Sequence, residues 1–276
     1  MFGRFNHGLL LGLLLILPAG AFSQSAGFTQ LPQDVIENRL LQYKGPDSFR
    51  AATLKKLFQE AGCNGERLKE QEVPNAAAPN VVCTLPGTSN NVIIVGAHFD
   101  HVSVGDGVVD NWSGASLLPS LFQSLSSTPR QHTYIFINFT EEEKGFVGSR
   151  YYADTLTKDE RARVRGMINL DTLGLGPTEI WISNSDPNLV KKLIGTASAM
   201  NLPVKEMNVD GIGNSDGDSF KRHSIPIITL HSVTTDTLGL LHTDKDIPAA
   251  IKRDHYYDSY RLIAAYLATL DSESGE

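Results

Sequence analysis

The run Val92-Ile93-Ile94-Val95 constrains the fold more than any other stretch of the chain. Four consecutive apolar residues without polar alternation read as a strand buried on both faces. Such a strand belongs inside a sheet covered by helices on both sides. The run stops at His98, Asp100 and His101, residue types that a packed core does not take unpaired. A glycine-rich loop follows. Asp110-Asn111 then opens residues 112–125, where Leu118, Leu121, Phe122 and Leu125 share one helical face. One stretch thus carries a histidine to the C-terminal tip of a strand and a carboxylate to the start of the next helix. Ligands collect at those tips in open α/β sheets. A polar strand exit with a capped helix after it explains the same residues, so the rest of the chain decides.

Two further apolar runs end the same way. Residues 133–139 (TYIFINF) run into Glu141-Glu142-Glu143, and residues 164–170 (VRGMINL) stop on Asp171. Further strands are expected over residues 66–73, 80–85, 179–183 and 226–230. Helices are expected over residues 34–43, 47–61, 148–156, from 184–187 to 200, and 256–270. The second begins at an Asp47/Ser48 cap, carries Phe49, Leu54, Leu57 and Phe58 on its apolar stripe and stops at Gly62. Residues 210–218 read as a polar glycine-rich loop. Strands and helices alternate with neither an internal repeat nor an interdomain linker. The 276 residues therefore predict a single α/β domain from about residue 30 onward, with a mostly parallel mixed central sheet flanked by helices.

The N-terminus reads as a signal peptide over residues 1–23, leaving residues 24–276 as the catalytic domain. Arg4 supplies a basic start, residues 8–17 an apolar core, and Ala19-Gly20-Ala21 or Ala21-Phe22-Ser23 a cleavage site. That core is shorter than the roughly 20 residues of a membrane span, so no stable membrane association is expected after cleavage. A secreted or periplasmic chain meets an oxidising environment, where its only two cysteines, Cys63 and Cys83, are expected to bridge. Closing that loop contributes on the order of 3 kcal/mol. A net charge of -7 without a Lys/Arg cluster argues against a nucleic-acid partner.

Three adjacent parallel strands would bring His98, Glu142/Glu143 and Asp171 to one edge of the sheet. Unpaired carboxylates there repel one another and raise their own pKa values. A divalent cation resolves that conflict, and mixed imidazole and carboxylate donors suit zinc.

The order of motifs resembles the secreted zinc aminopeptidases with a co-catalytic metal pair. The matching residues are His98-Phe99-Asp100, Asp110-Asn111-Trp112-Ser113-Gly114, Glu142 to Ser149, Leu170-Asp171 and Leu241-His242-Thr243. The resemblance spans roughly residues 90–270 and implies the zinc-exopeptidase, phosphorylase/hydrolase-like fold. It implies two zinc ions per chain, with Asp110 bridging, Glu143 and His242 completing one site, and His98 and Asp171 the other. Asp100 would orient His98 through its second ring nitrogen. Glu142 would act as general base on a bridging water and then as general acid to the leaving amine. The substrates implied are peptides with a free N-terminus. Glu141 is the spare acid of its triplet, and His101, His231 and His255 are expected to be rim, core or surface histidines. Gly217 stands where relatives often have the histidine of Ser-Asp-His, and Leu241 where they have an aromatic.

Two rival activities remain. The glutaminyl cyclases share the fold and much of the constellation but use one zinc. A serine hydrolase is suggested by Gly213-Asn214-Ser215-Asp216-Gly217, although the polar residues before Ser215 make a poor nucleophile-elbow strand. The sequons Asn111-Trp112-Ser113 and Asn138-Phe139-Thr140 fall in segments expected to be buried, and read as accidental.

Overall fold

The apolar runs pair with one another and leave the short polar-flanked strands at the edges. In chain order the elements are α1 (Gln33–Leu40), α2 (Asp47–Glu60), β1 (Leu68–Gln71), β2 (Asn80–Leu85), β3 (Val92–His98), α3 (Ser113–Ala115) and α4 (Leu117–Leu125). They continue with β4 (Thr133–Phe139), α5 (Val147–Thr155), α6 (Lys158–Arg163), β5 (Val164–Leu170), β6 (Thr178–Trp181) and α7 (Pro187–Met200). The last are β7 (Val204–Met207), α8 (Asp216–Lys221), β8 (Ile227–His231) and α9 (Arg253–Ser272). The structure, a computed structural model, describes residue 1 and residues 27–208 and 214–272. The expected leader over residues 1–23 lies outside the described residues, Met1 apart. Among the described residues no helix is long and apolar enough to cross a membrane.

The eight strands form one mixed sheet in the order β1-β2-β4-β3-β5-β8-β6-β7. Its middle, β4-β3-β5-β8, is parallel, while β1, β2 and β6 join antiparallel. The three buried runs of the sequence, with the strand expected over residues 226–230, are thus the four parallel strands, as double-sided burial requires. One face packs Val95, Phe136 and Leu170 against α1, α2, α4, α7 and α9. The other packs Ile94, Phe139 and Met167 against Tyr152 of α5 and Phe220 of α8. Strand alternation places His98, following Ile94 and Gly96, on this second face. Asp171, following Met167 and Asn169, lies there too.

Several local expectations are corrected. The helix expected over residues 112–125 is divided at Ser116 into α3 and α4, and before it a single wide turn covers Val108–Trp112, in which Asp110 and Asn111 hold non-helical dihedrals. Pro119 has no N–H for the Ala115 carbonyl four residues back. The Asn138 amide of β4 donates to that carbonyl instead, at 3.1 Å. At α2 the cap position is Pro46, with no side-chain cap from Asp47 or Ser48. Phe49 is 60% exposed, while its neighbour Arg50 is buried. Three elements went unread: α6, β7, and α8 inside the supposed glycine-rich loop.

Candidate metal centre

The loop after β3 returns across the strand tips, and Asn111 and Ser113 fix where it lands. Asn111 Oδ1 accepts the Gly114 and Thr172 N–H groups at 2.9 and 3.0 Å, and its Nδ2 donates to the Leu170 carbonyl at 2.9 Å. Ser113 Oγ donates to the Val109 carbonyl and accepts the Leu173 N–H at 2.8 Å. The motif therefore grips the exit of β5 on both sides of Asp171, which is why it needs an amide and a hydroxyl at that spacing. Gly114 is required by the same contact, since a Cβ there would stand 2.6 Å from the Leu170 carbonyl oxygen. Asn111 and Asn138 are both fully buried, so neither sequon is available in the folded chain.

The result is a compact donor set. His98 Nε2 lies 3.3 Å from Asp110 Oδ1 and 3.7 Å from Asp171 Oδ1. His242 Nε2 lies 3.2 Å from Asp110 Oδ2 and 3.2 Å from Glu143 Oε2. Asp110 thus turns one oxygen to each half. Single donor atoms of Asp110, Glu143 and His242 fall within 4.8 Å of one another, as do those of His98, Glu142 and Asp171. Behind them, Asp100 faces His98 Nδ1 at 3.5 Å and accepts the Glu142 and Glu143 N–H groups at 3.0 and 3.1 Å. One carboxylate faces the histidine and holds the acidic turn. Glu141 points away and accepts from the Ala77 N–H and Lys144 Nζ, a structural role.

The electrostatics ask for positive charge. Burial pushes the Glu142 carboxyl up to about 10, helped by Asp216, Asp171 and Asp110 and opposed by His98. Burial and Asp110 push Glu143 up to about 7. Asp110 goes the other way: burial raises it, but its hydrogen bonds to His242 and His98 win and hold it well below the carboxylate range. The bond to Asp110 lifts His242 to about 9. Each imidazole is drawn to its cationic form by carboxylates that divalent cations would neutralise instead. Imidazole nitrogen beside carboxylate oxygen is a zinc-type donor chemistry, so the residues fit the two ions the motifs imply.

All seven residues singled out in the sequence, His98, Asp100, Asp110, Glu142, Glu143, Asp171 and His242, meet at this one edge. All of them but Asp100 open on a cavity of about 360 Å³ whose wall also includes Phe146, Trp181, Ser215, Thr229, His231 and Leu241. His101 lies aside, 3.6 Å from Asp47. Ser215 opens α8, and its Oγ lies 3.3 Å from Thr229 Oγ1 rather than against a histidine, as a nucleophile would. Asp216 is buried behind Glu142, and burial lifts its carboxyl to about 7. The sequence reading missed one residue here and undervalued another. Asp246 accepts the Val109 and Asp110 N–H groups at 2.6 and 3.2 Å. His231, expected to be a core or surface histidine, ends the apolar run of β8 just as His98 ends β3, and it lines the cavity.

Comparison with known proteins gives the fold and the family. A probable leucine aminopeptidase of Trichophyton verrucosum (strain HKI 0517) is 24% identical over 256 residues, covering 83% of this chain and 66% of that one. The chain spans only 36% of another curated relative. Among solved structures, the Legionella pneumophila LapA aminopeptidase superposes with a TM-score of 0.78 at 20% identity, over 88% of this chain and 73% of that one. An Acidobacteriales bacterium glutaminyl cyclase superposes at 0.71 with 16% identity, over 91% of this chain and 98% of that one. The profile of Peptidase family M28 matches residues 80–267, from β2 into α9, and takes in every residue of the donor set. The chain belongs to peptidase family M28.

Proposed function

We propose that the protein is an exported, secreted or periplasmic, zinc-dependent aminopeptidase that releases the first residue from peptides with a free N-terminus. The observation that carries this reading is Asp110, set between His98 and His242 with one oxygen toward each. Two zinc ions would be held by His98, Asp110 and Asp171, and by Asp110, Glu143 and His242. Bound there, they supply an acidified water and a polarised scissile carbonyl. Glu142 acts beside them: its carboxylate takes a proton from the attacking water and returns it to the leaving amine nitrogen. Burial among like charges raises its proton affinity, and bound cations would offset those charges and keep the carboxylate ionised to take that proton. Asp100 is a positioning residue that fixes His98 and the Glu142–Glu143 main chain together. The bridge between Cys63 and Cys83 supports an oxidising compartment.

Glutaminyl cyclisation at one zinc is a second reading, favoured by the near end-to-end overlap with the cyclase fold. Metal content and product separate the two. The purified chain is expected to bind close to two zinc equivalents, both lost in Asp110→Ala, and to release free amino acids from aminoacyl-p-nitroanilides. Glu142→Gln is expected to keep both metals and lose turnover roughly a thousandfold. A single zinc equivalent, with ammonia released from N-terminal glutamine, moves the assignment to the cyclase. Wild-type turnover in Glu142→Gln removes that residue from the mechanism.

A further inference from the structure

The cavity wall contains a hydrogen-bond donor that proton transfer leaves unused. Leu170 of β5 pairs with Leu230 of β8, so His231 stands one strand beyond Asp171, about 5 Å across the sheet. The ring is 4% exposed and lines the cavity. The Val233 N–H donates to its Nδ1 at 3.1 Å. A neutral imidazole that accepts at Nδ1 carries its proton on Nε2. That Nε2 is buried with no hydrogen-bond partner among the described residues. Its cross-strand neighbour Glu179 does not take the proton, because Glu179 Oε2 is itself buried without a partner. Native structures leave few buried donors unmatched. The ring that carries this one lines the cavity beside the reacting groups, which points to an acceptor that arrives with the substrate.

The surroundings narrow that acceptor. Thr229, two residues earlier on the same face of β8, and Ser215 add hydroxyls, while Trp181 and Leu241 supply apolar area. A side chain with an apolar stem and a polar tip fits such a wall. A carboxylate tip would add negative charge to a cavity already walled by Asp110, Asp171, Glu142 and Glu143, whereas a neutral amide would not.

We infer that His231 is the specificity-determining residue of this cavity, donating its Nε2–H to the side-chain carbonyl of an N-terminal glutamine or asparagine. The inference rests on the aminopeptidase reading and adds the class of first residue to it. The neutral amide is favoured over an aliphatic side chain of similar size, which would bury the donor unpaired.

Two measurements test it. With glutaminyl- and leucyl-aminomethylcoumarin, the ratio of kcat/KM values is expected to favour glutamine. It should fall about tenfold or more in His231→Phe, mostly through KM, and recover in His231→Gln, which restores a donor. An unchanged ratio overturns the proposal. An equal fall in kcat on both substrates also overturns it, since the ring would then serve only to support Asp171. The second measurement needs no turnover. In the 15N-histidine-labelled wild-type protein, His231 is expected to show the Nε2-protonated tautomer, with that proton moved by L-glutaminamide and not by L-leucinamide. A signal that neither ligand moves overturns the proposal even where peptides are cleaved. A signal moved by glutaminamide, with no amino acid released from any peptide, sinks the aminopeptidase reading and leaves His231 as an amide-recognition residue.

Discussion

Asp100 and His231 show two fates for a polar group at the edge of a core. Asp100 is buried and fully employed. Burial raises its carboxyl, but His98 and the Glu142 and Glu143 N–H groups outweigh that, and its pKa falls below the usual value. Among the described residues His231 keeps only the Val233 N–H, and burial pushes its ring down to about 4 against the pull of Asp171. The sign of the pH effect follows. Above about 6.5, the unfolded value, both states hold the ring neutral and its contribution to folding is complete. As pH falls toward about 4, the unfolded chain takes up a proton that the folded chain refuses. Stability should therefore drop across that window, by on the order of 3 kcal/mol. Thermal melts between pH 7 and 4 should show a steeper loss for wild type than for His231→Gln, and parallel curves would contradict the assignment. At this scale the legible residues were those whose chemistry breaks an apolar run, such as His98 and Asp171. Asp246 breaks none. It sits in a polar stretch after His242, and only the chain's return to Val109 and Asp110 gives it a role.

Among the elements, the loop between β3 and α3 was the least readable, and its fixed points lie far away in the sequence. From α2, Arg50 donates to the carbonyls of Tyr43 and Phe99 at 2.9 Å and of Gly107 at 3.3 Å, and also to that of Asp106. From the segment after His242, Asp246 takes the Val109 and Asp110 N–H groups, while its carbonyl accepts the Asp106 N–H at 2.7 Å. Gly105 allows the two segments to touch, since a Cβ there would stand 2.3 Å from the Thr243 carbonyl oxygen. Asp246 thereby ties the segment bearing His242 to the loop bearing Asp110. Asp246→Ala strands two buried N–H groups and should cost about 2–4 kcal/mol of stability. It should also weaken zinc binding by roughly 10- to 100-fold, as loss of a residue that orients metal ligands does. Chelator competition would read the zinc effect, with Asp246→Asn, which keeps one acceptor, falling between. Wild-type zinc affinity in Asp246→Ala would remove the tie from the metal site. The elements missed in the sequence failed for a related reason. Helix α6 buries no residue and is held by a Thr157–Glu160 capping box, so it has no apolar period to detect. Strand β7 is a four-residue edge with half-buried ends, and α8 opens on Asp216-Gly217, which reads as a turn. The parallel strands were legible because burial on both faces leaves a continuous apolar run.

The whole molecule separates the edge that carries the metal-type donors from an anchoring edge. All the donor residues gather at the C-terminal ends of the parallel strands, and the covalent link lies elsewhere. Cys63, just past α2, is bonded to Cys83 of β2 across 20 residues of sequence, and both are fully buried. The bridge ties the α1–α2 layer to the sheet beside β4, and none of its atoms belongs to the cavity wall. A loop of that length, closed in the unfolded chain, stabilises the fold by about 3 kcal/mol. The double variant Cys63→Ser/Cys83→Ser should therefore lose about that much in denaturant unfolding. While still folded, it should keep wild-type zinc content and turnover per molecule. Mild reductant should act slowly on the native protein, because the buried sulfurs become accessible only when the α2–β2 region opens. A loss of zinc or of turnover in the folded variant, in proportion to the lost stability, would instead mean that α2, through its Arg50 grip on the β3–α3 loop, transmits the bridge's constraint to Asp110.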